Sequence, residues 1–214
     1  MTDAIILHAH LRLPLSCPSW QESLLQALPY AQRLELERRD ATARRASLTG
    51  LGLVLVGAAR LTQREFPPQA FTFPAGGKPR LAGGPYFSLS HSSSAVTCIV
   101  CADTDCGIDI EDRLDSAGSA TVAKLQRWTA TEAALKAAGL GLRATGEVAL
   151  ADLLGHAMVR RQRYELQPLD DMPGLIGHVA ARRKLTPIIA SVELDDARTS
   201  ALLERSFGLA AQVE

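Results

Sequence analysis

Gly107-Ile108-Asp109-Ile110-Glu111 organises the reading of this chain. Side chains of an extended strand alternate between its two faces. Asp109 and Glu111 therefore share one face, and Ile108 and Ile110 point the other way, into a core. Neighbouring carboxylates repel unless a positive charge lies between them. A third carboxylate, Glu132, follows within Trp128-Thr129-Ala130-Thr131-Glu132, and Lys136 comes one helical turn later. Carried on a helix after the strand, Glu132 completes an oxygen-rich site for a hard cation such as Mg²⁺. Sites of that kind handle phosphates.

Working outward toward the N-terminus, Asp103-Thr104-Asp105 makes a turn into the strand 106–111. Segments 86–91 and 95–101 pair as a hairpin through Ser92-Ser93-Ser94. Pro74-Ala75-Gly76-Gly77-Lys78-Pro79 is turn chemistry, preceded by a short strand at 71–73. Residues 4–8 read as a strand, 20–28 have helical apolar spacing, and 30–60 read as one long helical stretch. Toward the C-terminus a helix is expected to start near Thr129, because Thr129-x-x-Glu132 fits a capping box and 133–138 is strong helix former. Gly139 and Gly141 end it. Strands are expected at 158–167, 174–181 and 187–194. Asp195 or Asp196 then caps a last helix over 198–212, with Leu202, Leu203 and Phe207 as its apolar stripe. This order predicts an α+β fold of two similar halves with antiparallel sheets, 1–103 and 104–214.

The 214 residues are 47% hydrophobic, enough to bury a core. A formal net charge of zero argues against a nucleic-acid partner. All but four of the 23 basic residues are arginine, and Arg33, Arg38, Arg39, Arg44 and Arg45 cluster. That cluster reads either as a phosphate-binding segment or as a solvated helix face balanced by Glu35, Glu37 and Asp40. The cysteines are Cys17, Cys98, Cys101 and Cys106. Cys98 and Cys101, three apart in a strand, face opposite ways and read as buried thiols, not metal ligands. No signal-peptide pattern opens the sequence, and the apolar run 51–59 is too short to span a bilayer. The expectation is a cytoplasmic protein with reduced thiols and no membrane partner.

Several polar groups are ordinary when taken singly. Lys78 reads as a surface lysine, and Glu132 with Lys136 as a helical ion pair. Ser90 and His91 end a strand and suit phosphate donation. As neighbours they face opposite ways, which excludes a Ser-His hydrolase pair. His8 and His10 share a strand face without a visible third ligand and read as strand-edge residues. His156 and His178 have no partner identifiable from sequence.

Taken in order, these pieces resemble the 4′-phosphopantetheinyl transferases, of the larger type built from two fused halves. The matching blocks are Gly77-Lys78-Pro79, Phe87-Ser88-Leu89-Ser90-His91-Ser92, Gly107-Ile108-Asp109-Ile110-Glu111, and the run from Trp128 through Glu132 and Lys136 to Leu142. Arg45 with Ser47-Leu48-Thr49-Gly50 resembles the family's early basic segment, and a looser similarity spans residues 30–194. The resemblance implies the 4′-phosphopantetheinyl transferase fold, a pseudo-twofold arrangement and a monomer. It implies transfer of the phosphopantetheine arm of coenzyme A to a serine of an apo acyl, polyketide or peptidyl carrier protein, with release of 3′,5′-ADP. By position, Asp109, Glu111 and Glu132 would hold Mg²⁺. Lys136 would contact the phosphates beside the metal, and Glu132, or a water it holds, would take the serine proton. Arg45, Lys78, Pro79, Ser90 and His91 would hold the adenine nucleotide.

The chain departs from the family in one place. The stretch 112–127, between the acidic strand and the Trp-Glu helix, is shorter than usual. Because that region helps to dock the carrier, a rival reading is a degenerate member that binds coenzyme A or a carrier without turnover. A second rival, an unrelated Mg²⁺-dependent phosphohydrolase, leaves the Ser90-His91 and Gly77-Lys78-Pro79 blocks unexplained.

Overall fold

Eleven strands and four α-helices make up the described part of the chain, in a computed structural model describing residues 3–11, 19–75, 77–113, 118–152, 154–193 and 201–203. In order they are β1 (Ala4–His10), α1 (Ser19–Ala27), α2 (Tyr30–Glu37), α3 (Ala41–Thr62), β2 (Phe71–Thr72), β3 (Arg80–Leu81), β4 (Tyr86–His91), β5 (Ala95–Cys101), β6 (Cys106–Asp112), α4 (Ser119–Ala137), β7 (Val148–Leu150), β8 (His156–Val159), β9 (Gln162–Pro168), β10 (Leu175–Ala181) and β11 (Pro187–Ser191). One sheet runs β11-β1-β5-β4 and a second β6-β10-β9-β8-β7, with β2-β3 as a small ribbon. The fold is mixed α+β, and every strand pair is antiparallel except β1 with β11.

Alternation along the strands sorts the apolar residues into three cores. On β5, Val96, Cys98 and Val100 join the core that contains Leu53, Leu55 and Val56 of α3. Ala95, Ile99 and Cys101 of the same strand face the second sheet and meet Ile108 and Ile110 of β6 and Val179 of β10. Ala130, Ala133, Ala134 and Ala137 of α4 pack on the other side of the second sheet, over Tyr164, Leu166 and Ala180. The layers are therefore helices, sheet, sheet, helix. Cys98 and Cys101 fall in different cores, as their spacing requires, and both thiols are free.

Local chemistry accounts for the differences from the sequence reading. The helical stretch 30–60 breaks after Glu37, because Asp40 accepts the Ala43 N–H at 2.9 Å and caps a new helix. The expected strand 158–167 is a hairpin turning at Arg160-Arg161, both at positive φ (45° and 67°). Helix α4 starts at Ser119, so Thr129 lies inside it and is not a cap; its hydroxyl donates to the Leu125 carbonyl at 3.0 Å. The boundary at 103 is crossed, because β11 returns to pair with β1. Asp3 fixes that return: it accepts from Thr186 N at 3.1 Å and from Arg183 Nη1 at 2.5 Å. Strand β1 is central, so His8 is buried and not an edge residue; its ring centroid lies 5.9 Å from that of His10. Residues 201–203 are helical and Leu203 is buried, while Cys17, Asp195, Asp196 and the rest of the expected last helix lie outside the described residues. Among the described residues no helix is long and apolar enough to cross a membrane.

Candidate active site at the junction of β6 and α4

Gly107 lets α4 approach β6. A Cβ on Gly107 would stand 1.9 Å from the Ala133 carbonyl oxygen and 2.5 Å from the Ala137 nitrogen. With glycine there, the helix backbone rests directly on the strand. Asp109 and Glu111, two and four residues on, project from that same helix-facing side, while Ile108 and Ile110 are buried between the sheets.

β6 is an edge strand, with no ladder partner on its other side among the described residues. Serines of β4 take the place of a ladder. Ile108 N–H donates to Ser88 Oγ at 3.2 Å, and Ile110 N–H donates to Ser90 Oγ at 3.3 Å. Ser92 Oγ donates to Asp112 Oδ1 at 2.7 Å. The spacing of two in Ser88-Leu89-Ser90-His91-Ser92 thus matches the spacing of two along β6. Ser93 completes the grip on Asp112 through its N–H at 2.9 Å and its hydroxyl at 2.5 Å, and Ser94 adds a third hydroxyl. These donors overcome burial and hold the Asp112 carboxyl below the usual range. The alternating serines were the signal in the sequence for this arrangement.

Asp109 is 3% exposed. Its Oδ1 accepts from Ser90 Oγ at 2.7 Å and from Lys136 Nζ at 2.5 Å. Its Oδ2 is buried with no hydrogen-bond partner. Glu132 Oε2 lies 3.7 Å from the same ammonium. Burial and the charges of Asp109 and Glu111 push the Glu132 carboxyl up, against the pull of Lys136. Burial and the Asp109 charge likewise raise Glu111, although Trp128 donates a hydrogen bond to it. Asp109 and Glu132 thus share one ammonium beside Glu111, and the chemistry of the three carboxylates, all oxygen with one orphaned buried atom, fits a hard cation. Among the described residues no three acidic, His or Cys side chains are gathered at metal-ligating distance as they stand. The Lys136 ammonium lies between Asp109 and Glu132, and Trp128 engages Glu111.

The remaining expected residues other than Arg45 lie along an adjoining cleft. A cavity of about 330 Å³ is lined by Lys78, Pro79, Phe87, Leu89, Lys136 and Leu140. A larger one, about 750 Å³, is lined by Pro79, Ser90, His91, Arg39, Ser47 and Phe71, and the two share Gly77, Pro79 and Leu89. His91 is exposed at its wall. Ser90 is mostly engaged with β6. Lys78 Nζ donates to the Cys106 carbonyl and lies 3.4 Å from Asp105 Oδ1. Arg45 is half-buried on α3 and is not among the residues around the larger cavity. Arg39 is, and the sequence reading named it only as part of a charge cluster. Its guanidinium is held by Glu35 at 2.7 Å and donates to Ser47 Oγ at 3.0 Å.

His178, without a partner in the sequence reading, stands directly across from Asp109 in the β6–β10 register. Its Nδ1 is 2.8 Å from Thr129 Oγ1. Burial lowers its pKa to about 4, so the imidazole is neutral at physiological pH. No protein-family model matches the chain, and no curated protein matches it in sequence.

Proposed function

We propose that this chain transfers the 4′-phosphopantetheine group of coenzyme A to a serine of an apo carrier protein, with Mg²⁺, releasing 3′,5′-ADP. The observation that carries this reading is the meeting of Asp109, Glu111, Glu132 and Lys136 at the β6–α4 junction, at the end of a cleft walled by Lys78, Pro79 and His91. The orphaned Asp109 Oδ2 supports a bound cation there. Asp109, Glu111 and Glu132 would hold Mg²⁺, which supplies charge neutralisation at the diphosphate of coenzyme A.

The protein's own groups have distinct tasks. Lys136, held by Asp109 at 2.5 Å and 28% exposed at its side chain, suits contact with a phosphate oxygen. Glu132, on the α4 face beside Asp109, is the group to accept the proton of the carrier serine, directly or through a water it holds. His91 and Arg39 offer donors to the nucleotide in the larger cavity, with Pro79 and Phe71 as apolar walls. Displacement at phosphorus needs positioning and charge balance more than covalent help from the enzyme.

Each sheet carries a helix on its outer face, α3 on one and α4 on the other, which supports a pseudo-twofold, monomeric transferase. The halves are unequal, with three helices on one sheet and one on the other.

The test is mass spectrometry of a panel of apo acyl, polyketide and peptidyl carriers incubated with the protein, coenzyme A and Mg²⁺. Addition of one phosphopantetheine to a carrier, lost in Asp109→Ala, is the expected result. A panel that stays unmodified throughout overturns the proposal. A second reading, a coenzyme A or carrier binder without turnover, is favoured by one observation: Lys136 already neutralises Asp109. Calorimetric coenzyme A binding without release of 3′,5′-ADP would select it.

A further inference from the structure

Helix α4 meets the second sheet through Ala130, Ala133, Ala134 and Ala137, a smooth surface of methyl groups. Such a face offers few knobs to oppose sliding or rolling of the helix. Two contacts break that smoothness. One is Gly107, on which the backbone of the turn Ala133–Ala137 rests. The other lies one turn earlier, where Thr129 Oγ1 meets His178 Nδ1 at 2.8 Å. Glu132 lies between these two points along the helix.

We infer that the Thr129–His178 pair is a positioning device that sets α4 against β6 and so places Glu132 beside Asp109. The Thr129 hydroxyl donates to the Leu125 carbonyl at 3.0 Å, which leaves its oxygen to accept from an Nδ1–H of His178. His178 in turn sits opposite Asp109 on the neighbouring strand, 3% exposed, so the ring has little room to move. One hydrogen-bond chain therefore runs from the α4 backbone, through Thr129 and His178, to the strand that pairs with the acidic one. Gly107 alone fixes the height of the helix at one turn; a second directional contact fixes its roll. Neither Thr129 nor His178 touches substrate in this scheme. They act through Glu132 and Lys136, in the way that groups behind a metal ligand hold its orientation.

This inference rests on the proposed cation site, and its test separates the two. The probe is Mn²⁺ alone, titrated into the full chain by calorimetry, with thermal unfolding measured on the same samples. The variants are Thr129→Ser, Thr129→Val and the double replacement Thr129→Val with His178→Leu. Thr129→Ser keeps the hydroxyl and is expected to bind Mn²⁺ as the unaltered chain does. Thr129→Val leaves a buried imidazole nitrogen without a partner and is expected to lower both stability and affinity. The double variant removes both polar partners, which restores stability. It is still expected to bind Mn²⁺ about tenfold or more weakly, because the hydrogen bond that ties α4 to β10 is gone. A double variant that binds like the unaltered chain overturns the positioning role and leaves the cation site standing. No binding of Mn²⁺ by the unaltered chain overturns both.

Discussion

Lys136 Nζ lies 2.5 Å from Asp109 Oδ1, an oxygen that also receives the Ser90 hydroxyl, while Asp109 Oδ2 has no partner at all. The carboxylate is thus held by one oxygen and offers the other. A buried charge with half its lone pairs unmet is costly unless another group completes it. The asymmetry gives Asp109 a role that ordinary ion pairing does not.

Asp109→Asn tests that role. The change removes the negative charge but keeps a carbonyl oxygen for Ser90. Lys136, partly exposed, turns to water and Glu132. Unfolding stability is expected to fall by about 3 kcal/mol or less, since removing one partner of a buried ion pair costs about 3–5 kcal/mol and the exposed part of Lys136 lets water take over some of the loss. Transfer to a carrier serine is expected to fall at least about 100-fold, more than loss of a supporting group behind a metal ligand costs. Urea denaturation and a carrier-modification assay read the two effects. Retention of transfer with unchanged rate would remove Asp109 from the site.

Ser88 and Ser90 separate fold from site. Each hydroxyl accepts a buried N–H of β6, so Ser88→Ala and Ser90→Ala each leave one donor unmet. Both are expected to lose about 1–3 kcal/mol. Only Ser90 also orients Asp109. Transfer, measured where both variants remain folded, should therefore fall further in Ser90→Ala than in Ser88→Ala. Equal losses would mean that the serine ladder matters only for the strand.

How far the sequence carried follows from the range of each signal. Alternation in 106–111 and 95–101 is local and strong, and it placed Ile108, Ile110, Cys98 and Cys101 on the faces they occupy. Helical spacing puts Glu132 and Lys136 on one face of a helix, whereas the contact of Lys136 with Asp109 is seen only in the structure. The start of α4 was misplaced because Thr129-x-x-Glu132 imitates a capping box, whereas the true first turn at Ser119 has no side-chain cap to advertise it. The return of β11 to β1 depends on Asp3 meeting Arg183 and Thr186 across nearly the whole chain, which no local pattern encodes. Ser90 shows a subtler limit: its position in a motif was legible, but the direction of its hydroxyl was set by an unpaired strand edge visible only in three dimensions.

That Asp3 anchor has a pH signature. Burial raises its carboxyl pKa, but hydrogen bonds from Arg183 and Thr186 and the Arg183 charge outweigh burial, and the net shift is downward from 3.8. A carboxyl with a depressed folded pKa adds stability in full above its unfolded value, and the contribution is lost as pH falls through the folded value. At pH 7, Asp3→Asn is therefore expected to melt below the original chain. The gap should close as pH drops below 3.8 and through the lower folded pKa. Melting curves at pH 7, 5 and 3 read the effect, and a gap that widens on acidification would contradict it.

Gly107 gives the sharpest steric prediction. A methyl group there meets the Ala133 carbonyl oxygen and the Ala137 nitrogen, both backbone atoms of α4 that cannot rotate aside. The helix must lift from β6, carrying Glu132 and Lys136 away from Asp109. Gly107→Ala is expected to cost about 3 kcal/mol or more, the upper part of the range for overpacked sites. For a chain of this size that is a fall of roughly 6–12 °C in Tm. Gly146→Ala is the control, since nothing lies within 4 Å of a Cβ there. Its Tm should stay near that of the original. Because the lift acts at the junction itself, Gly107→Ala should also weaken carrier modification at temperatures where it remains folded. A folded, fully active Gly107→Ala would show that close contact of α4 with β6 is not what brings Glu132 and Lys136 to Asp109.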